Sequence, residues 1–172
     1  MSDRTQYQVQ LRAVKRGFPA RIHSHVVRGT ADDAWEPGYV LTRTEGGRAA
    51  TLPTTIDDNI SGPVAYLAIE AFTGDGTKFV GLEEIDKDTV FEAQIASGSA
   101  DLGDVFKQGR LIQDATTGHY AVNLDATDDA SLEVVDVEPN FAPWHRRATG
   151  DYNLVWFKFL PAVLDIAPAS TS

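Results

Sequence analysis

The sequence predicts a mainly β protein: a single compact antiparallel β-barrel or sandwich-like domain with an extended N-terminal arm and irregular loops. Three observations carry that prediction. Between Val64 and Ile95, two apolar segments flank Thr73-Gly74-Asp75-Gly76-Thr77, and a third, Thr89 to Ile95, alternates with period two close behind; strands joined by tight turns have this pattern. Gly109 to Gln113 and His119 to Leu124 flank a turn at Asp114 to Gly118, which makes a second hairpin. Tyr152 to Leu160 is the most apolar and aromatic run of the chain, and its lack of alternation implies burial on both faces, as a central or an interface strand.

At 172 residues the chain fits one domain, large enough to bury roughly 70% of the surface its unfolded form exposes. It divides into a basic N-terminal arm (1–17), a β domain (18–167) and a flexible tail (168–172). With no cysteine, disulfides, thiolate metal sites and a cysteine nucleophile are excluded. No apolar run reaches the length of a membrane span, and residues 1–8 lack the apolar core of a signal peptide. The expectation is synthesis in a cytosol, with any release by lysis.

Taken in order, residues 1–17 alternate loosely through Tyr7, Val9 and Leu11, and fit an edge strand or an extended arm; thin apolar content and high charge favour the arm. Phe18 to Val27 is a short extended piece, and Gly29 to Gly38 an Asp-rich loop holding Trp35 and Pro37. Tyr39 to Arg43 has strand composition, Thr44 to Gly47 turns it, and Arg48 to Leu52 pairs back. Pro53 to Pro63 is a polar connection. Val64 to Phe72 suits either a helix capped by Ser61 or a strand, and its shortness together with the Gly-Asp-Gly turn favours the strand. Leu102 to Lys107 follows a small-residue turn. Ser131 to Val137 is a strand with Leu132, Val134 and Asp136 opposite Val135 and Val137. Glu138 to Gly150 is irregular.

Chemical motifs are weak throughout. His23 and His25 share a strand face but need a third metal ligand from far away. Asp125, Thr127 and Asp129 have calcium-loop spacing, yet Ala130 stands where the sharp turn requires glycine. Ser97 and Ser99 lack the flanking glycines of a nucleophile elbow, and a triad with His119 and Asp101 or Asp104 is only a drawing. Gly74 to Lys78 is too short for a phosphate loop. No residue is assigned a catalytic, cofactor or metal role, and the expectation is a protein that is not an enzyme.

Charge is the remaining signal. Net charge is −10, but in residues 1–30 Arg4, Arg12, Lys15, Arg16, Arg21 and Arg28 face Asp3 alone, giving +5 and leaving −15 for the rest. A basic leading segment on an acidic body suggests an arm meant for another surface, while the body repels polyanions and argues against specific nucleic-acid binding.

The small acidic cysteine-free β domain, the basic N-terminus, the run from Gly74-Asp-Gly-Thr through Asp88-Thr-Val-Phe-Glu-Ala, the Asp101-Leu-Gly-Asp-Val-Phe segment and the aromatic C-terminal strand together resemble the phage head decoration, or capsid cement, proteins. The resemblance implies a protein without an active site on the virion surface, bound to the major capsid protein of an icosahedral shell. It further implies a homo-oligomer, a trimer, that bridges capsomers. The residues expected to contact capsid or subunit are Arg4, Arg12, Lys15, Arg16 and Arg21 of the arm, Trp144 beside Arg146 and Arg147, and Trp156 with Phe157 and Phe159. The alternatives are a carbohydrate-binding virion module stacking sugars on Trp35, Trp144 and Tyr120, and a small hydrolase.

Overall fold

The computed structural model of the chain describes residues 4–16, 22–23, 27–44, 49–140 and 150–165. The first half is a series of short strands: β1 (Arg12–Lys15), β2 (Ile22–His23), β3 (Arg28–Gly29), β4 (Ala34–Trp35), β5 (Val40–Thr44), β6 (Ala49–Thr51), β7 (Thr55–Ile56), β8 (Asn59–Ile60), β9 (Tyr66–Ala68), β10 (Phe72–Thr73) and β11 (Leu82–Glu84). The second half supplies longer ones: β12 (Val90–Ile95), β13 (Gln108–Gln113), β14 (Tyr120–Asn123), β15 (Leu132–Val137) and β16 (Leu154–Phe159).

The longer strands close a five-stranded barrel in the order β12, β16, β15, β13, β14 and back to β12. Every pair is antiparallel except β12 with β14. Closure removes the edges that a flat sheet of these apolar strands would expose. The barrel is filled by Phe91, Phe157 and Phe159, whose ring centroids lie 5.3 to 5.6 Å apart, with Leu111, Val122, Leu132, Val134 and Val155 around them. Full burial of each such side chain contributes about 1.5–3 kcal/mol.

A six-stranded sheet, β2-β11-β9-β5-β6-β3, packs beside the barrel. Its β9 separates two cores: Leu67 joins the barrel interior, while Tyr66 and Ala68 face a second core with Leu41, Val80 and Leu82. Trp35 of β4 and Phe72 of β10, stacked at 4.4 Å, complete that second core. Phe72 lies so close to Gly29 that a Cβ there would sit 2.2 Å from the ring. Tyr120 ties barrel to sheet, its fully buried hydroxyl accepting the Val40 N–H at 2.9 Å.

The expected hairpins form: β5 with β6, β13 with β14, and β9 with β11 across the Gly74 turn. Val64 to Phe72 is extended, not helical, but the strand stops at Ala68 and Phe72 leaves to pair with Trp35. Two expectations are corrected. Pro53 to Pro63 contains a hairpin of its own, β7–β8, because Asp57 and Asp58 take φ of 49° and 63°, the left-handed pair that a two-residue hairpin turn requires. In β15 a bulge between Val134 and Asp136 shifts the phase by one residue, so Val137 enters the core where unbroken alternation would place Asp136.

Candidate functional site

Composition and charge predict an arm for the leading segment; the structure makes its described residues part of the body. Arg12–Lys15 is extended, but as an edge strand paired with β12, with Arg12 directly across from Glu92. All six residues of β12 are buried. Phe91, Ala93 and Ile95 point into the barrel core, and residues 4–12 meet the polar groups of Glu92 and Gln94. The Gln94 amide donates to the Thr5 carbonyl and accepts from the Val9 N–H, so the chain is held there by its own backbone.

Three arginines of that segment are bound to carboxylates of the same chain. Arg4 forms a two-point pair with Glu138, one contact being Nη2 to Oε1 at 2.8 Å, and the fully buried carboxylate also accepts the Leu154 N–H at 2.7 Å. Arg12 reaches Glu92 through Nε at 2.9 Å and Nη2 at 2.8 Å, while the Trp156 indole N–H donates to the other oxygen of Glu92 at 2.8 Å. Arg16 makes a two-point pair with Glu83, with Nη2 to Oε2 at 2.9 Å, and this hydrogen bond raises the guanidinium pKa. A fourth clamp is His119, whose Nδ1 lies 2.8 Å from the Tyr7 carbonyl.

This geometry reassigns most of the expected contact residues. Arg4, Arg12 and Arg16 are committed within the chain; Lys15 is exposed at the end of β1. Phe157 and Phe159 are 0% and 2% exposed and belong to the barrel core, so neither touches a subunit or a capsid. They are buried because β16 is a central strand, flanked by β12 and β15. Trp156, on the outer face of β16, is half-buried against Glu92. Arg21, Trp144, Arg146 and Arg147 lie outside the described residues. The sugar-stacking alternative loses Trp35 and Tyr120, which are core residues 2% and 0% exposed.

The weaker chemical motifs resolve into structural roles. Asp101 and Asp104 cap the 3-10 turn Leu102–Asp104 reciprocally, and Asp104 also pairs with Lys107 at 2.7 Å. Burial opposes ionisation of Asp104, but the Lys107 and Asp101 contacts hold its pKa below the usual value. With His119 turned to Tyr7, the drawn triad is not assembled. Asp75 accepts both the backbone and the hydroxyl of Thr77, which lowers its pKa and fixes the Gly-Asp-Gly turn. Asp129 faces Arg110 at 3.4 Å. Among the described residues no group of three metal-ligating side chains converges.

Sequence reasoning passed over the exposed apolar side chains. Among the described residues they lie in three places: Leu52 and Ile56 at the β7–β8 hairpin, Ile22, Ile69 and Phe79 around β11, and Leu102 and Phe106 on the turn after β12. The last is the most pronounced, with Leu102 60% and Phe106 72% exposed. Phe106 also has φ of +70°, a strained conformation for a bulky residue. It is held there by its N–H donating to the Val134 carbonyl at 2.7 Å and by Lys107 N–H donating to Asp104. The signal was present in the sequence: Leu102 and Phe106 flank Gly103-Asp104-Val105, a glycine and an aspartate that interrupt any strand there.

No protein-family model, curated protein or solved structure matches the chain. Fold and surface define its class: a mainly β protein with a closed five-stranded barrel, an added second sheet, and a surface bearing separate apolar sites.

Proposed function

We propose that this protein is a non-enzymatic virion component that binds the outer surface of an icosahedral phage capsid and stabilises it by bridging capsomers as a trimer. The observation that supports the reading is the division of exposed apolar side chains, among the described residues, into three separate places on an acidic β body. A bridging protein must hold several protein neighbours at once, and apolar side chains fixed on short turns and strand ends give contact at little ordering cost. A net charge of −10 keeps such a surface soluble before assembly.

The contact mechanism differs from the one the charge pattern suggested. Arginines already paired with buried carboxylates cannot be handed to a capsid groove without leaving those carboxylates unpaired. Binding therefore runs through the apolar places and through cations such as Lys15 that stand in solvent. The test is co-sedimentation of the purified chain with undecorated shells of the phage that carries its gene. Saturation at a fixed number of copies per capsomer, with shells made more heat-resistant, is the expected result. Absence of binding at every salt concentration would overturn the proposal.

A further inference from the structure

Residues 4–16 are joined to the body by polar contacts almost throughout. Leu11 is the one side chain among them that is fully buried in an apolar core, with Ala13 packed at its rim. The rest of the attachment is the three arginine–carboxylate pairs, the His119 clamp on Tyr7, the Gln6 amide donating to the Ala96 carbonyl at 2.8 Å, and Gln94. Gln94 is 0% exposed and bonds at both ends of its amide. The oxygen accepts the Val9 N–H at 2.9 Å, and the nitrogen donates to the Thr5 carbonyl at 3.0 Å and to the Tyr152 carbonyl at 2.9 Å. Between Thr5 and Val9 the chain turns through Tyr7 at φ +55°, an unfavourable conformation for a bulky residue.

We infer that residues 4–16 form a strap that lifts from the closed barrel as one unit, with Gln94 as its latch. A segment with few buried apolar contacts opens at lower free energy than the core it lies on, and β12 keeps its pairings with β14 and β16 when β1 leaves. The opening is all-or-none for a second reason. Releasing one contact while the others hold strands a carboxylate or the Gln94 amide in a dry site, whereas releasing all of them lets water reach every group at once. Closed, β1 covers Val90–Glu92, the stretch of β12 that β14 does not reach. Open, that backbone is unpaired, and an unpaired edge accepts a foreign strand. The strap is therefore a guard on the barrel: its polar attachment lets it open without unfolding the core, and its cooperativity keeps it shut.

The experiment is native-state hydrogen exchange at low urea concentrations. In the wild type the Val9 amide and the β1 amides bonded to β12 should share one opening constant, larger than that of the β16 amides and with a shallower urea dependence. Val134→Ala, in the barrel core away from the strap, should speed exchange in β15 and β16 by roughly tenfold or more and leave the strap amides at the wild-type rate, because the strap opens while β15 is still folded. Gln94→Met keeps the side-chain volume and removes the amide, so it should speed Val9 and the β1 amides by one common factor, roughly tenfold or more. Arg4→Met is the second variant, in case Gln94→Met does not fold, and should speed the same amides together. Strap amides that exchange no faster than β16 in the wild type, or that follow Val134→Ala, would overturn the inference, since the segment would then leave only with global unfolding. A response to Gln94→Met that stops at Val9, or to Arg4→Met that does not reach β1, would overturn the single unit.

Discussion

Replacing Arg4 with methionine separates a docked leading segment from a free arm. The Arg4 side chain is 14% exposed and its partner Glu138 0%. Removing the cation leaves a buried carboxylate with the Leu154 N–H and no opposite charge from Arg4. Breaking a buried pair from one side costs about 3–5 kcal/mol, which for a chain of this size lowers Tm by roughly 6–20 °C. Arg12→Met is the comparison: Glu92 is also buried but keeps the Trp156 indole N–H, and Arg12 itself is 61% exposed, so that water can take its place; the loss should be smaller than at Arg4. Equilibrium unfolding in urea measures both. Adding Glu138→Gln to Arg4→Met removes the stranded charge and should recover much of the loss, a coupling that a double-mutant cycle reads directly. If Arg4→Met stays within about 1 kcal/mol of wild type, or costs no more than Arg12→Met, the leading segment is not anchored as described.

Three further outcomes are expected. Gly29→Ala drives a methyl into the Phe72 ring and should cost about 1–3 kcal/mol, with loss of the near-ultraviolet signal of the Trp35–Phe72 stack as the readout. Phe106→Gly places at φ +70° the residue that tolerates it, so urea unfolding should show stability unchanged or raised by up to about 1 kcal/mol. Asp114 has its pKa lowered from 3.8 chiefly by the Thr117 hydroxyl and backbone N–H. A depressed carboxyl stabilises the fold above its unfolded pKa and loses that contribution as pH falls through the folded value. The stability difference between wild type and Asp114→Asn should therefore persist at neutral pH and vanish in acid below the ordinary aspartate range; a difference that grows on acidification would contradict the hydrogen bonding at this turn.

The barrel was legible because its strands carry their own signals. Val90 to Ile95, Gln108 to Asn123 and Leu154 to Phe159 have the alternation, turn residues or continuous apolar character that local sequence displays. The strands outside the barrel were harder to read, since β2, β3, β4, β7, β8 and β10 are two residues each, too short to establish a period. Their pairing depends on partners distant in sequence, as Phe72 with Trp35 shows. The β15 bulge was invisible for a related reason: Val134, Val135 and Val137 are all apolar, and only the register against Phe157 and Trp156 decides which of them faces inward. The exposed apolar sites are marked by neither charge nor aromatic density. The densest aromatic run is the core of the barrel, whereas Phe106 stands nearly alone in sequence and in solvent.

The charge asymmetry is met in part within the chain, where Arg4, Arg12 and Arg16 pair with carboxylates of the body. A basic segment and an acidic body joined in one chain meet at an effective concentration that a separate surface rarely matches, so pairing within the chain takes precedence. The structure carries this through at Glu138, Glu92 and Glu83, each nearly inaccessible and each opposite an arginine from residues 4–16. Burying a carboxylate is tolerated only where a cation and further hydrogen bonds accompany it; the leading segment supplies the cations to Glu92 and Glu138, and the Trp156 indole and Leu154 N–H supply the further bonds. Its positive charge therefore acts inward, as the means by which a strand with two buried faces keeps polar residues on one of them. What is left in solvent, among the described residues, includes apolar side chains set in a chain of net charge −10, and a partner that met them would be selected by shape more than by long-range attraction.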